Sequence, residues 1–301
     1  MKTAGIGTRI ALKNVLYLTG FSEASQAALP FAVAMAREFG AEIHALHVMI
    51  PEAYVYASAT PATIGMAIEA QEDAAEAEMQ RVAAELGKLP HEVVMMRAAG
   101  VWPALEQVIA DCRADLIVLG THGRTGAQKL FMGSVAEEIF RRSPVPVLTI
   151  GPWASGGTHN GANFRRVLFA TDFSPEAAAA APYAISLAEE HQARLILLNV
   201  IHERVPDADR GRVQMSVAHV LYELHEIVPE NAELWCRPEA AVEYGEPAAC
   251  ILEAAKKRDA DLIVLGVRGA EGRLGAATHL ERAVAHKVVA HATCPVLTVR
   301  G

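Results

Sequence analysis

The chain has 301 residues, enough for two domains of ordinary size, and 52% of them are hydrophobic, which suits a globular protein with a buried core. Its net charge of -8 argues against a nucleic-acid binder that neutralises phosphates. The first residues lack the apolar core of a signal peptide, and no apolar run approaches the length of a membrane span. The cysteines show no CxxC spacing and predict reduced thiols of a cytoplasmic protein: Cys112, Cys236, Cys250 and Cys294.

Short apolar strands and helical stretches alternate along the first half of the chain. The predicted helices lie at 23–38, roughly 66–87, 102–113 and 134–142. The predicted strands are mostly continuous runs of Val, Ile and Leu, typical of a parallel sheet buried on both faces. They cover 14–19, 42–49, 92–98, 115–119 and 146–150. This alternation predicts an open α/β sheet with helices on both faces.

The second half repeats the first half in the same order. "ADLIVLG" occurs at 114–120 and again at 260–266, and "NVLYLTGFSEASQAAL" matches "RVLFATDFSPEAAAAA". We therefore expect tandem domains at 1–150 and 165–301, joined by a Gly-rich linker at 151–164. Each domain is expected to have its own five-stranded parallel sheet, and the two are related by approximate two-fold symmetry. The strands of the second half are predicted near 166–171, 194–201, 240–244, 261–265 and 295–299.

The closing strands of the two halves, 146–150 and 295–299, are short and apolar, and each begins with a proline. An exposed apolar edge strand invites aggregation unless something covers it. We therefore expect these strands to lie at sheet edges and to pair with each other across the pseudo-dyad. The result would be an intramolecular pseudo-dimer, and a further homodimer stays open.

A glycine-rich loop follows the fourth strand of the first half, where open α/β sheets bind ligands. It reads "GTHGRTGAQKLFMGSVAEEIF", from Gly120 to Phe140. Gly133 and Ser134 stand where the fourth helix begins, so backbone N–H groups and the positive end of the helix dipole would face a phosphate. The loop is neither a Walker A loop nor GxGxxG. Alternatively, Ser134 and Glu137 form an S-x-x-E capping box, which explains both residues without a ligand.

The spacing of these residues, Gly120, two residues, Gly123, nine residues and then Gly133-Ser134, resembles the ATP-binding signature of the universal stress protein family. The resemblance extends over both halves and includes "VLFATDFSPEA", "ADLIVLG" and "PVLT". It implies a Rossmann-like fold, similar to adenine nucleotide alpha hydrolases. It also implies a cytoplasmic stress-response protein that binds ATP, with or without magnesium, as a sensor or regulator.

The resemblance assigns different parts of the nucleotide to different residues. The glycines of the loop and Ser134 would hold ribose and phosphates, and the backbone of Val48 and Met49 would face adenine. Arg124 could reach a phosphate or face solvent, and His122 is expected to be an ordinary loop residue. The full set of implied site residues is Leu18, Thr19, Gly20, Val48, Met49, Gly120, Thr121, His122, Gly123, Arg124, Gly133, Ser134 and Val135.

The two halves depart from the family pattern in complementary ways. The family has an aspartate after the first strand, which is Asp172 in the second half but Gly20 in the first. Where the first half has Gly133-Ser134, the second has His279-Leu280 or Arg282-Ala283, depending on the direction of alignment. A side chain at the place where the backbone should approach phosphate blocks the anchor. We therefore expect ATP in the first half and a degenerate or differently occupied site in the second.

Other functions have weaker support in the sequence. No general base or Ser/His/Asp set can be assembled, so no catalytic residue is predicted, although slow ATP hydrolysis or autophosphorylation occurs in some relatives. The histidines of the second half lack the one-face spacing of a zinc site. Two alternatives stay open: a nucleotide-independent interaction module with unknown protein partners, and an enzyme of a related nucleotide-binding superfamily. Whether the second half, with Gly266 and Gly269, binds anything also stays open.

Overall fold

The computed structural model describes residues 9–50, 61–121, 133–154, 163–201, 210–230, 232, 236, 238–268 and 278–301. The strands are β1 (Asn14–Leu18), β2 (Glu42–Met49), β3 (His91–Arg97), β4 (Leu116–Gly120), β5 (Val147–Ile150), β6 (Arg166–Ala170), β7 (Arg194–Ile201), β8 (Glu239–Tyr244), β9 (Leu262–Val267) and β10 (Val296–Arg300). The helices are α1 (Glu23–Phe39), α2 (Pro61–Leu86), α3 (Val101–Cys112), α4 (Ser134–Arg142), α5 (Pro175–Glu190), α6 (Arg210–Ile227), α7 (Pro247–Lys257) and α8 (Thr278–His291). The predicted alternation of strands and helices is confirmed.

The ten strands form a sheet in the order β3-β2-β1-β4-β5-β10-β9-β6-β7-β8. Neighbouring strands are parallel within each half, so the two five-stranded parallel units are confirmed. The expectation that each half has a sheet of its own is corrected in one respect. The edge strands β5 and β10 pair antiparallel, as predicted for the closing strands, and this pairing joins the two units into a single sheet.

Two threonines at the same position of the repeat strengthen the joint between β5 and β10. The hydroxyl of Thr149 donates a hydrogen bond to the carbonyl of Val296 (3.0 Å), and the hydroxyl of Thr298 donates to that of Val147 (3.3 Å). Both threonines are buried, so these bonds satisfy polar groups that water does not reach. The reciprocal contacts give the joint an approximate two-fold symmetry.

The helices cover both faces of the sheet. One core cluster contains buried residues of α1, α2, α5 and α6, and the other contains those of α3, α4, α7 and α8. The central strands have continuous burial because helices pack on both sides of them, as their unbroken apolar runs predict. None of the helices within the described ranges is long and apolar enough to cross a bilayer.

The aspartate of the repeated "ADLIVLG" has a structural role in both halves. One carboxylate oxygen of Asp115 accepts from the backbone amides of Lys13 (2.7 Å) and Asn14 (3.0 Å). Asp261 accepts in the same way from the amides of residues 165–166, both at 2.9 Å. Each aspartate therefore ties the start of its fourth strand to the start of the first strand beside it.

Candidate functional site

The strand order reverses between β1 and β4 in the first half and between β6 and β9 in the second. In open α/β sheets, a crevice for ligands forms at such a switch point, outside the carboxyl ends of the strands. We call these places the first and the second crevice. The first crevice comprises residues 18–20, 48–49, 120–121 and 133–135, and the second comprises residues 170–172, 200–201 and 266–268. The predicted residues His122, Gly123 and Arg124 lie outside the described residues.

Hydrogen bonds fix the turn that follows β1. Thr19 is buried, and its hydroxyl accepts from the amide of Phe21 (3.1 Å), while its carbonyl accepts from Nδ1 of His47 (2.9 Å). Phe21 has a left-handed backbone (φ 58), and its ring stacks on His47 with centroids 4.1 Å apart. Gly20, at the tip of this turn, is exposed, and a Cβ atom there would have nothing within 4 Å. Position 20 could therefore carry a side chain, although in this chain it offers none.

The second crevice contains the same turn. The Thr171 carbonyl accepts from the side-chain amide of Asn199 (2.8 Å), so Asn199 does here what His47 does in the first crevice. Asp172 is exposed, and its carboxylate accepts from the amide of Ser174 (3.0 Å). His47 and Asn199 are not among the residues predicted from the sequence, although they stand in the strand ends "LHV" and "LNV". The sequence does contain a signal for this role, since both repeats have a side chain with an N–H donor at the same position of the second strand.

The backbone of Val48 faces the first crevice. The ladder between β1 and β2 ends at the pair Leu18 and Leu46, and the carbonyl of Met49 accepts from the amide of Ala98 on the opposite side of β2. Successive residues of a strand direct their backbone groups to opposite neighbours. The N–H and C=O groups of Val48 therefore point toward β1, where that strand has already ended. Val48 and Met49 were both expected at adenine. The backbone N–H and C=O groups of Val48 face the crevice, whereas the carbonyl of Met49 bonds to the residue after β3.

The two ends of the glycine-rich loop are held together. The carbonyl of Thr121 accepts from the amide of Gly133 (2.7 Å), and the amide of Thr121 donates to Ile150 on the neighbouring strand (3.0 Å). Thr121 is buried, whereas Gly133 is half-buried. The start of α4 is thereby fixed beside the end of β4, at the edge of the first crevice.

Gly133, not Ser134, is the N-cap residue of α4. Gly133 has an extended backbone (φ -61, ψ 149), its carbonyl accepts from the amide of Glu137 (2.9 Å), and Ser134 is already the first helical residue. The capping-box alternative for Ser134 is therefore wrong. As a glycine, Gly133 supplies no side-chain cap to the first turn of α4. Uncapped first-turn amides, with the positive end of the helix dipole, suit an anion.

Gly120 and Gly266 are required by packing between strand and helix. A Cβ atom on Gly120 would lie 2.2 Å from the carbonyl oxygen of Ala24 in α1, and one on Gly266 would lie 2.3 Å from the carbonyl carbon of Glu176 in α5. The contact is the same in both halves. These two glycines are therefore explained without a ligand.

The second crevice lacks a helix start at the equivalent place. Ala283 stands as far before β10 as Ser134 stands before β5, but α8 has already begun at Thr278. Arg282 and His279, the two predicted replacements of Gly133, both lie within α8. The amide of Arg282 lies beyond the first turn of α8 and bonds to a carbonyl of that turn, whereas His279 stands within the first turn, displaced from the place of Gly133. The loss of the Gly-Ser pair thus coincides with a different helix boundary.

An ion pair crosses the second crevice. Nε of Arg268 donates to one carboxylate oxygen of Glu176 (2.9 Å), and the Glu176 side chain is only 17% exposed. The other carboxylate oxygen of Glu176 is buried and has no hydrogen-bond partner among the described residues. The hydrogen bond from Arg268 lowers the pKa of Glu176, so this carboxylate is ionised at neutral pH. In the first half, Ala24 and His122 stand at these two places of the repeat.

The described residues offer little metal or thiol chemistry. Among them, no group of three or more His, Cys, Asp and Glu side chains is placed to hold a metal ion. All four cysteines are free thiols. Burial raises the pKa of Cys236 to about 11 and that of Cys294 to about 12, so neither is a reactive thiolate at neutral pH.

The fold and the crevices define a doubly wound α/β protein whose unit occurs twice. The family model "Universal stress protein family" matches residues 11–151 and 163–300. The chain is 38% identical over 141 residues to a universal stress protein of Thermus aquaticus, covering 46% of this chain and 99% of that protein. It is 34% identical over 157 residues to the universal stress protein YxiE of Bacillus subtilis, covering 46% of this chain and 99% of that protein.

A solved structure shows the same fold over nearly the whole length. The crystal structure of a universal stress protein from Archaeoglobus fulgidus aligns with a TM-score of 0.67 at 23% identity, covering 97% of this chain and 98% of that chain. The chain belongs to the universal stress protein family and carries the family's unit twice in tandem.

Proposed function

We propose that this stress-response protein binds one adenine nucleotide, ATP, in its first crevice and acts as a sensor or regulator rather than as a fast enzyme. The start of α4 carries this proposal, because its N-cap Gly133 has no side chain to occupy the first-turn amides, which lie beside the switch point of the first sheet. The proposed domains are 1–150 and 165–301 with a linker at 151–164, and we propose a cytoplasmic location.

In this proposal, different residues of the first crevice bind different parts of the nucleotide. The amides of Ser134 and Val135, at the start of α4, bind the phosphates, with the Ser134 hydroxyl as a further donor, while the amide of Gly133 donates to Thr121. The N–H and C=O of Val48 offer one donor and one acceptor, which complement a ring nitrogen and the amino group of adenine. Leu18 and Thr19 flank the nucleoside. Magnesium is held through the phosphates, since Gly20 offers no carboxylate.

A second candidate function is a nucleotide-independent interaction module with a purely structural glycine loop. The contact between Gly120 and Ala24 favours it, because packing alone explains that glycine. Gly133 leaves the first-turn amides of α4 without an N-cap side chain, and the ATP proposal assigns these amides to phosphate. The two candidates therefore differ in whether the start of α4 binds an anion.

Calorimetric titration with ATP tests the proposal. We expect one ATP per chain, and we expect Gly133→Val to abolish binding because a branched side chain fills the space where phosphate approaches the helix amides. Asp172→Ala is the matched control in the other half and leaves binding unchanged. Absence of ATP binding by the unaltered chain would favour the interaction module. Loss of binding in Asp172→Ala but not in Gly133→Val would place the nucleotide in the second crevice.

A further inference from the structure

The second crevice carries a carboxylate at a place where the first crevice carries none. Glu176 lies in the first turn of α5, directly after the turn that follows β6. Arg268 follows β9 directly, and the two side chains meet at 2.9 Å. β6 and β9 are the two strands between which the order of the second sheet reverses. The ion pair therefore spans the switch point between the two loops that border the crevice.

Ala24 is the structural counterpart of Glu176. Each residue lies in the first turn of the helix after the first strand of its half. Each also has its backbone against the glycine that ends or nearly ends the fourth strand, Gly120 in one half and Gly266 in the other. The two positions therefore superpose by packing, independently of any sequence alignment. They differ by one carboxylate group.

Among the described residues of the second crevice, the positive charge of Arg268 is offset by Glu176. The guanidinium of Arg268 is engaged by Glu176, and the exposed Asp172 adds a second carboxylate in the turn after β6. The charge of these three side chains is net negative. A triphosphate entering here would approach like charges in a partly desolvated place, where their repulsion is stronger than in water. The first crevice has Gly20 and Ala24 at the two carboxylate positions.

We infer that Glu176 is a specificity-determining residue that excludes polyphosphates from the second crevice, through the carboxylate that it places beside Arg268 at the β6/β9 switch point. The inference rests on the proposed function, because it explains why one chain with two related crevices binds one ATP. The helix start at Thr278 moves the first-turn amides away from the place that Ser134 has in the first half, whereas Glu176 adds repulsion. These are separate effects and can be tested separately.

Transferring the carboxylate to the first crevice isolates its effect, since α4 keeps its start there. In Ala24→Glu we expect the Kd for ATP, measured by calorimetry, to rise about tenfold or more, as expected for a like charge a few ångströms from a phosphate. Ala24→Gln, of equal size and no charge, should stay within about threefold of the unaltered chain because it adds no repulsion. Adenosine, which has no phosphate, should bind both variants equally.

Several outcomes would overturn the inference. Equal weakening of ATP binding by Glu and Gln would mean that size, not charge, excludes the nucleotide. An unchanged Kd in Ala24→Glu would mean that the carboxylate has no effect. Weakening of ATP and adenosine together would indicate a disturbed crevice, which unfolding curves of the two variants would reveal. Titration of the unaltered chain with ATP tests the proposed function by itself, so the two failures are distinguishable.

Discussion

Gly120 lies at the end of β4 under the first turn of α1, so close that a single added carbon would overlap the helix backbone. Its Cβ atom would lie 2.2 Å from the carbonyl oxygen of Ala24 and 2.8 Å from the amide nitrogen of Ser25. Neither atom belongs to a flexible side chain that could move aside. The glycine therefore brings strand and helix together, and this approach fixes the distance between the turn after β1 and the loop after β4.

Replacing Gly120 by alanine should destabilise the protein. We expect Gly120→Ala to lower the free energy of unfolding by about 2–3 kcal/mol, because the helix must shift away from the strand. Gly65→Ala is the matched control, since a Cβ atom at Gly65 in α2 has nothing within 4 Å. It should raise the free energy of unfolding by about 0.5–1 kcal/mol through helix propensity. Urea unfolding of both variants measures these changes. Equal changes in the free energy of unfolding would contradict the close contact between Gly120 and the backbone of α1.

At the scale of the elements, apolar runs were sufficient to predict the strands and the pairing of the two closing strands. Proline allowed α2 to begin earlier than expected, at Pro61, because proline suits the first position of a helix. The N-cap of α4 is harder to predict, because both glycine and serine are common N-cap residues. Only the backbone angles show that Gly133, and not Ser134, is the N-cap. The roles of His47 and Asn199 depend on where the neighbouring strand ends, which local sequence does not contain.

The uncapped start of α4 predicts a conflict between helix stability and ATP binding. In Gly133→Asp, the new side chain can accept hydrogen bonds from the first-turn amides, since the extended backbone of Gly133 is that of an ordinary N-cap. We expect the free energy of unfolding to rise by a few tenths to about 1 kcal/mol. The same side chain occupies the amides proposed for phosphate and adds a negative charge, so the Kd for ATP should rise at least about tenfold.

Gly100→Asp is the matched control for this change. Gly100 is the N-cap of α3, also has an extended backbone, and makes no side-chain cap bond. A Cβ atom there would have only an ordinary contact, 3.7 Å from Pro103. Unfolding curves should show a similar gain in stability, while calorimetry should show unchanged ATP binding. If Gly133→Asp gains stability and keeps its ATP affinity, the amides of α4 are not the phosphate site.

At the scale of the whole molecule, the halves are joined by more than the two edge strands. Leu148 and Leu297 face each other at the centre of the antiparallel pair. On one face of the sheet, the rings of Phe31 and Phe164 stack with centroids 6.5 Å apart, and the amide of Ile10 donates to the side chain of Ser186 (3.2 Å). The helices of the two halves therefore share a core on this face of the sheet, and we expect the halves to unfold together.

A half-buried histidine beside this joint should make the stability of the whole molecule depend on pH. His191 ends α5, and its ring packs edge-on against Phe164 with centroids 5.1 Å apart. Its Nε2 atom is buried without a hydrogen-bond partner among the described residues. Burial lowers the pKa of His191, although the nearby carboxylates of Glu38 and Glu190 act in the opposite direction. The folded protein therefore holds His191 neutral at a pH where the unfolded chain begins to bind a proton.

The sign of the effect follows from that difference. An unfolded histidine has a pKa of about 6.5, so at pH 7.5 both states are neutral at His191 and the residue has no effect on the equilibrium. As the pH falls below about 6.5, the unfolded state binds a proton more readily than the folded state, and stability decreases until the lowered folded pKa is passed.

We expect urea unfolding to show a loss of stability between pH 7.5 and 5.5 that is reduced in His191→Gln. His219→Gln, at a histidine that is 73% exposed, is the matched control and should keep the pH dependence of the unaltered chain. If both variants lose as much stability on acidification as the unaltered chain does, protonation of His191 is not the cause of the pH dependence.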